Sequence, residues 1–394
     1  MTTTSTTAEL PARTGTAPPL RLGALEVWPP VVLAPMAGVT NVAFRSLCRR
    51  SGDGLYVSEM VGARGLVEGN TTSRLKAAFG RDERPRSIQL YALAPEETRA
   101  AVELLTTGAA AAGREPVHHI DLNFGCPAPK VTRHGGGAAL PWRRDLYAAI
   151  VGAAVEAAGD VPVTVKLRLG IDDAHLTYLD AGRSAADLGV AGVALHARTA
   201  EQRYGPPAAW EHIAALVDAL EVPVLGNGDI WEAADALRMQ AETGCAGVVV
   251  GRGCLGRPWL FGDLQAAFAG RPIPAAPDLG RIAALIREHA LLLAQHLGEE
   301  TGLRELRKHT GWYLQGFPVG RGVRRALNQV ATLEELDRHL QDLDGSLPFD
   351  EELRRQPRGH TTRPKRVHLP TGWLETRQHG AAPAPRAHGV VSGG

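Results

Sequence analysis

The apolar positions of the chain follow two alternating spacings. Short β-branched or apolar runs occur at Val31–Leu33, Leu55–Val57, Ser87–Leu90, His119–Leu122, Val163–Lys166, Val193–Leu195, Val222–Leu225 and Val248–Val250, and each predicts a strand. Between them lie longer segments with apolar residues near helical spacing, among them Pro95–Leu105, Trp142–Ala158, Trp210–Leu220 and Trp231–Glu242. Eight strand–helix units in about 250 residues match the size of a (β/α)8 barrel. A doubly wound sheet is the competing architecture.

The polar positions favour the barrel. Nearly every run is followed on its C-terminal side by residues suited to chemistry: Pro35-Met36, Ser58-Glu59, Gln89, Asn123 with Cys126, Lys166 with Arg168, His196 with Arg198, Asn227-Gly228-Asp229, and Gly251-Arg252. A barrel collects its active site from the C-terminal ends of many strands, whereas an open sheet concentrates it at one switch point. The seventh and eighth runs end in Gly226-Asn227-Gly228-Asp229 and Gly251-Arg252-Gly253, where barrels hold phosphate on main-chain N–H groups. Glycine permits the close approach. Lys166 ends an apolar run, so its charge needs a partner or an electron-rich ligand. A salt bridge at the barrel mouth is the structural alternative.

Cys126 stands out among the candidates. It sits in Asn123-Phe124-Gly125-Cys126-Pro127-Ala128-Pro129, where Gly125 and Pro127 interrupt regular pairing and present the thiol on a loop. The plainer alternative is a small hydrophobe filling a corner.

Composition narrows the remaining classes. With 394 residues, 44% hydrophobic and 22% charged, the chain is long enough for one large core and a smaller domain. Its net charge of +1 excludes a uniformly basic coat, so any nucleic-acid contact must come from local clusters. The four cysteines, Cys48, Cys126, Cys245 and Cys254, lack C-x-x-C spacing, which argues against a disulfide framework or a zinc site and fits a reducing cytoplasm. No stretch reads as a membrane span, and Thr2–Pro19 reads as an extension rather than a signal.

The residues taken in order resemble the tRNA-dihydrouridine synthases, and within them the bacterial B-type branch, from about Leu20 to about Leu343. The resemblance rests on Ala34-Pro35-Met36-Ala37-Gly38-Val39-Thr40-Asn41, Val57-Ser58-Glu59-Met60, Asp121-Leu122-Asn123-Phe124-Gly125-Cys126-Pro127 and Val165-Lys166-Leu167-Arg168. It continues through His196-Ala197-Arg198-Thr199, Gly226-Asn227-Gly228-Asp229-Ile230, Gly251-Arg252-Gly253, and Arg307-Lys308-His309 with Gly311-Trp312-Tyr313-Leu314. It implies an FMN-binding TIM barrel followed by a small helical domain, reducing the C5–C6 double bond of uridines in tRNA with NADPH or NADH. B-type likeness points to the D-loop, position 17 in particular.

The same resemblance makes Cys126 the proton donor, working from its thiol form. It assigns FMN to Pro35, Met36, Ala37, Gln89, Lys166, His196, Asn227, Gly228, Asp229, Gly251 and Arg252. Asn123 and Arg198 are candidates for reading the uracil edges, because an amide and a guanidinium suit its carbonyls and N3–H. Tyr204 either closes over that pocket or makes an ordinary rim contact. Arg304, Arg307, Lys308, Arg321, Arg324 and Arg325 cluster where tRNA phosphates would be gripped; pairing with Glu334, Glu335 or Asp337 is the alternative.

The expected organisation is a disordered extension over 1–19, the barrel over 20–270, a linker over 271–280, the helical domain over 281–345, and a mostly disordered tail over 346–394. That tail holds Arg363-Pro364-Lys365-Arg366, either as electrostatic grip on RNA or as an inert appendage. The run Gly135-Gly136-Gly137 is either a mobile lid over the base or a relaxed loop. A monomer without metal is expected. Two rivals remain: an FMN barrel acting on free pyrimidines, like dihydroorotate dehydrogenase, and a tRNA chaperone without working flavin.

Overall fold

The structure, a computed structural model, describes residues 17–108, 116–359 and 363–378. Ten strands appear among them: β1 (Leu20–Leu22), β2 (Leu25–Val27), β3 (Val31–Leu33), β4 (Leu55–Gly62), β5 (Ser87–Tyr91), β6 (His119–Phe124), β7 (Val163–Arg168), β8 (Gly192–His196), β9 (Val224–Asn227) and β10 (Gly247–Val250). Strands β3 to β10 are parallel, and they close because β10 pairs with β3. This is the expected (β/α)8 barrel, and closure excludes the doubly wound alternative. The helices Pro95–Thr106, Arg144–Ala158, Glu211–Ala219 and Ala233–Thr243 occupy the predicted positions to within a few residues.

Strand alternation sorts the residues of β6 and β7 between two environments. Ile120, Leu122, Phe124, Val163, Val165 and Leu167 join the core under the helices. His119, Asp121, Thr164 and Lys166 instead line a cavity of about 20 Å³ inside the barrel, large enough for one water. Much of the remaining interior is apolar: Val32, Ala34, Leu55, Val57, Ala194, Leu225 and Val249 pack together with Leu20 and Leu22. Those two leucines come from the antiparallel β1–β2 hairpin, which the spacing of apolar residues does not predict. Leu22 and Leu20 lie against Gly192 and Gly247 at the starts of β8 and β10, so the hairpin plugs the N-terminal end of the barrel.

Four helices follow: Leu279–Leu297, Glu299–Tyr313, Arg321–Leu327 and Leu333–Gln341. Their core, including Ile282, Ile286, Leu293, Leu303, Leu306 and Leu336, also takes in Ala43 and Leu47 from the barrel helix Val42–Ser51. The helical domain is therefore seated on the barrel through a shared apolar layer.

The described residues after 345, which are 346–359 and 363–378, include buried side chains where a mostly disordered tail was expected. Arg358 is 1% exposed and Trp373 7% exposed. A basic, Pro-rich composition suggests a chain without a core of its own, but here the barrel supplies the surface against which these side chains are buried.

Candidate active site

The site is built outward from Cys126, which is half-buried on the loop after β6. Asn123 Oδ1 accepts from the Cys126 N–H at 3.0 Å and from Gly125 N–H at 3.2 Å. Asn123 Nδ2 donates to Gln89 Oε1 at 2.7 Å, and Gln89 Nε2 donates to Asp121 Oδ2 at 2.7 Å. Thr164 Oγ1 donates to Asp121 Oδ1 at 2.6 Å, His119 Nε2 lies 3.0 Å from Thr164 Oγ1, and Ser87 Oγ lies 2.7 Å from His119 Nδ1. Because Thr164 donates to Asp121, its oxygen accepts from His119 Nε2–H, and Nδ1 accepts from Ser87. Two runs of hydrogen bonds, one from Ser87 and one from the main chain of Cys126, thus cross the barrel interior and converge on the Asp121 carboxylate. Strand register makes them possible, pairing Gln89 with Asp121 and Asp121 with Thr164.

Asn123 therefore does not have the free amide expected of a uracil reader. Its oxygen holds the cysteine loop and its nitrogen is engaged by Gln89. Gln89, expected at the flavin edge, is 1% exposed and has its amide engaged at both ends. Motifs alone do not single out Asp121, Thr164 or His119 as site residues. The signal available was a period-2 set of polar residues on an otherwise apolar strand.

Burial pushes the Cys126 thiol above its ordinary value, opposed by the Ala128 main-chain hydrogen bond and by the charges of Arg168 and Lys130. The resting group is thus a protonated thiol, with groups beside it that stabilise the thiolate left after proton transfer. Arg168, absent from the expected site set, ties the loops together. Its Nε donates to Gly125 O, and its Nη1 donates to Thr199 O and Arg203 O, each at 2.9 Å.

The other strand ends form a cationic wall. Lys166 Nζ donates to Asn227 Oδ1 at 3.0 Å, and Asn227 Nδ2 to Val249 O at 2.7 Å. Burial and Arg168 push Lys166 down to about 8, while Asp121 opposes the change. Burial, followed by the surrounding cations, holds His196 well below its ordinary value. The neutral His196 Nε2 accepts from Arg198 Nη1 at 3.3 Å, which places its proton on Nδ1. Arg198 is 2% exposed; its Nη2 reaches both oxygens of Asp229 at 2.7 and 2.6 Å, and its Nε donates to Pro206 O. Both side chains of the Arg198–Asp229 pair are engaged by protein groups in this structure. Arg198 is buried against protein acceptors rather than offered to a base, and the Asp229 carboxylate, which also accepts from Ala208 N–H, is unsuited to an anion. Tyr204 packs against two guanidinium groups, those of Arg168 and Arg252, at 5.5 and 4.5 Å from its ring.

FMN fits the donors that remain. Pro35, Met36 and Ala37 are partly or fully exposed beyond β3, with the turn closed by Met36 N–H to Thr40 Oγ1 at 3.0 Å. Among the described residues the N–H groups of Gly228, Asp229 and Gly251 meet no main-chain acceptor. They lie at the ends of β9 and β10 beside Arg252, a donor set suited to a phosphate. Gly228 has φ +131°, and a β-carbon there would come 2.6 Å from Ala208 Cβ, so this turn requires glycine.

The glycine run after the cysteine is neither a lid nor a relaxed loop. Gly135, Gly136 and Gly137 are buried. A β-carbon on Gly137, φ +55°, would lie 2.4 Å from Cys126 O, and Ala138 N–H donates to that oxygen at 3.1 Å.

The basic cluster of the helical domain divides in two. Arg307 donates to Val330 O and Gln329 O, and Arg324 to Val319 O, Leu314 O and Phe317 O. Both are half-buried and act as carbonyl caps. Arg321 and Arg325 are exposed, and Arg304 is only 3.9 Å from Glu300. Lys308 pairs with Glu305 and reaches the barrel mouth, since a β-carbon on Gly38 would lie 3.4 Å from its Nζ.

The model of the dihydrouridine synthase family matches residues 32–347. The chain belongs to this family. A "Probable tRNA-dihydrouridine synthase" of Mycobacterium tuberculosis is 55% identical over 91% of this chain and 92% of that protein. A "tRNA-dihydrouridine synthase B" of Pseudomonas aeruginosa is 37% identical over 79% of this chain and 91% of that protein. Among the described residues of this dihydrouridine synthase family member, no helix is long and apolar enough to cross a membrane, and no acidic, histidine or cysteine cluster could hold a metal.

Proposed function

We propose that the chain is a tRNA-dihydrouridine synthase that reduces the C5–C6 double bond of a D-loop uridine, position 17 in particular, using FMN and NADPH or NADH. The observation that carries this reading is the hydrogen-bonded placement of a protonated Cys126 thiol at the C-terminal mouth of a cationic barrel. No amino-acid side chain donates hydride, which FMN, when bound, would supply to C6 of the uracil. Pro35, Met36 and Ala37 would lie along the ring, Lys166 at its polar edge with Asn227 orienting the ammonium, and the Gly228, Asp229 and Gly251 amides with Arg252 at the phosphate.

Cys126 delivers the proton to C5 and is left as thiolate, which regains its proton from water. The Ala128 N–H, Arg168 and Lys130 favour the thiolate and so assist that transfer. The base must be drawn out of folded tRNA at a cost of about a few kcal/mol. Exposed cations such as Arg304, Arg321 and Arg325 offset that cost by holding phosphates.

Anaerobic single-turnover oxidation of the reduced protein tests the reading. Unmodified tRNA should reoxidise the flavin and yield dihydrouridine, while free uracil and orotate should not. Oxidation by a free base would move the function to pyrimidine metabolism, and a purified protein without flavin would favour the chaperone.

A further inference from the structure

The described C-terminal segment lies outside the residues matched by the family model and runs along the substrate side of the barrel. Its first part is bolted at the domain junction: Arg358 donates to Leu255 O of the barrel at 3.1 Å and to Trp312 O and Gln315 O of the helical domain at 2.6 and 3.1 Å. The second part, residues 363–378, crosses the loops that follow three consecutive strands. Lys365 N–H donates to Glu201 O after β8 at 2.9 Å. Trp373 packs with Ile171 after β7 and with Ala139 after β6. Farther on, Arg144 N–H donates to Arg377 O at 3.0 Å, and Arg377 pairs with Asp180.

This route gives the exposed side chains a defined direction. Arg363, Lys365 and Arg366 are exposed, and none forms a salt bridge among the described residues. They stand beside the loops that follow β7 and β8, at the same end of the barrel as Cys126. Three cations on an anchored backbone lose less entropy on binding than the same cations on a free tail.

We propose that residues 363–378 form a second tRNA-binding arm, in which Arg363, Lys365 and Arg366 contact substrate phosphates. The proposal rests on the synthase reading. Its test is the salt dependence of tRNA binding by the full-length flavoprotein, wild type against R363A/K365A/R366A and the charge-reversed R363E/K365E/R366E. The triple alanine variant should bind tRNA several-fold more weakly, with its log–log salt slope reduced by about 0.7–0.9 for each phosphate no longer neutralised. Charge reversal should weaken binding further. Flavin reduction by NADPH should be unchanged in both. Wild-type binding with the same affinity and slope in the variants overturns the arm alone; a wild-type protein that does not bind tRNA overturns the synthase reading with it.

A different observation gives the arm a second role. A β-carbon on Gly135 would lie 2.3 Å from the Trp373 ring, and Trp373 Nε1 donates to Ala139 O at 3.0 Å. The Arg143 guanidinium covers the ring at 4.8 Å and donates to Gly372 O. Close by, Gly137 and Ala138 meet the carbonyl of Cys126. The geometry points to Trp373 as a positioning residue for the thiol. In Trp373→Ala, peptide-resolved alkylation by iodoacetamide should accelerate several-fold at Cys126 and remain slow at buried Cys48, Cys245 and Cys254, with Trp373→Phe intermediate. An unchanged Cys126 rate, or acceleration at all four thiols together, overturns the assignment.

Discussion

The barrel mouth and the basic face of the helical domain are both rich in polar residues, yet they use them in opposite ways. From the strand starts up to the mouth, Ser87, His119, Thr164, Asp121, Gln89 and Asn123 bond to one another, and the sum of those bonds is the position of one loop. On the helical domain, Arg307 and Arg324 end on main-chain carbonyls while Arg321 and Arg325 face solvent. Buried polar groups must find partners, so a network forms and specifies geometry. Exposed cations meet no such demand, and the same residue type serves as a cap or as a ligand for phosphate.

Removing the thiol should produce the largest effect on the mouth side of this comparison. Cys126→Ala is expected to lower single-turnover reduction of tRNA by about 10²–10⁴-fold, the range for loss of a general acid, with flavin content unchanged. In the wild type the alkaline limb owed to Cys126 should lie above the ordinary thiol range near about 8.5, because burial holds the thiol up, whereas a limb near pH 8 belongs to Lys166, which burial pushes down to about 8. A limb below pH 8 that persists in Lys166→Arg would remove Cys126 as the donor. Asn123→Ala should follow at about 10²-fold, since it frees the loop without touching the thiol; turnover equal to wild type would show that the network is not what positions Cys126.

Buried histidines belong to both regions and set the acid limit of stability. Burial pushes His119 in the barrel and His289 at the domain junction down to about 3, and holds His196 and His309 low as well. Below about pH 6.5 the unfolded chain takes up protons that the folded chain refuses, so stability should decline from there toward pH 3. Asp121 and Asp263, pushed up to about 6 by burial, act in the opposite direction between pH 3.8 and 6, because the folded chain holds their protons more tightly. The four histidines should prevail over the two carboxyls, giving a thermal midpoint that drops between pH 7 and pH 5. A midpoint that rises over that interval would reverse the ranking.

The smallest effects should divide the basic cluster itself. Arg324→Ala takes a donor from three carbonyls, of which Leu314 O and Phe317 O keep a main-chain N–H while Val319 O has none among the described residues, and should cost about 1–3 kcal/mol of stability, read from denaturant unfolding. Arg321→Ala and Arg325→Ala should leave stability alone and reduce the salt slope of tRNA binding by about 0.7–0.9 each. Equal behaviour of the buried and exposed arginines in both assays would erase the distinction between carbonyl cap and phosphate ligand.

The sequence by itself determined the barrel, its strand order and the loops that carry the site. These follow from local spacing, since a parallel strand buried on both faces shows as an apolar run and its C-terminal end shows where that run stops. The apolar runs stop short of the ends of six strands, β4 to β9, and the last four of these continue through Asn123, Arg168, His196 and Asn227. Only the tertiary structure shows which partners those residues take. Asn123 and Arg198 have the right chemistry for reading a base, but closure of the barrel brings acceptors and donors from neighbouring strands within bonding distance and engages them first. The same holds for the segment after residue 345, whose composition resembles a disordered tail. Arg358 and Trp373 are ordered by surfaces 46 and 234 residues away in the chain, and burial against a distant surface leaves no mark on local spacing.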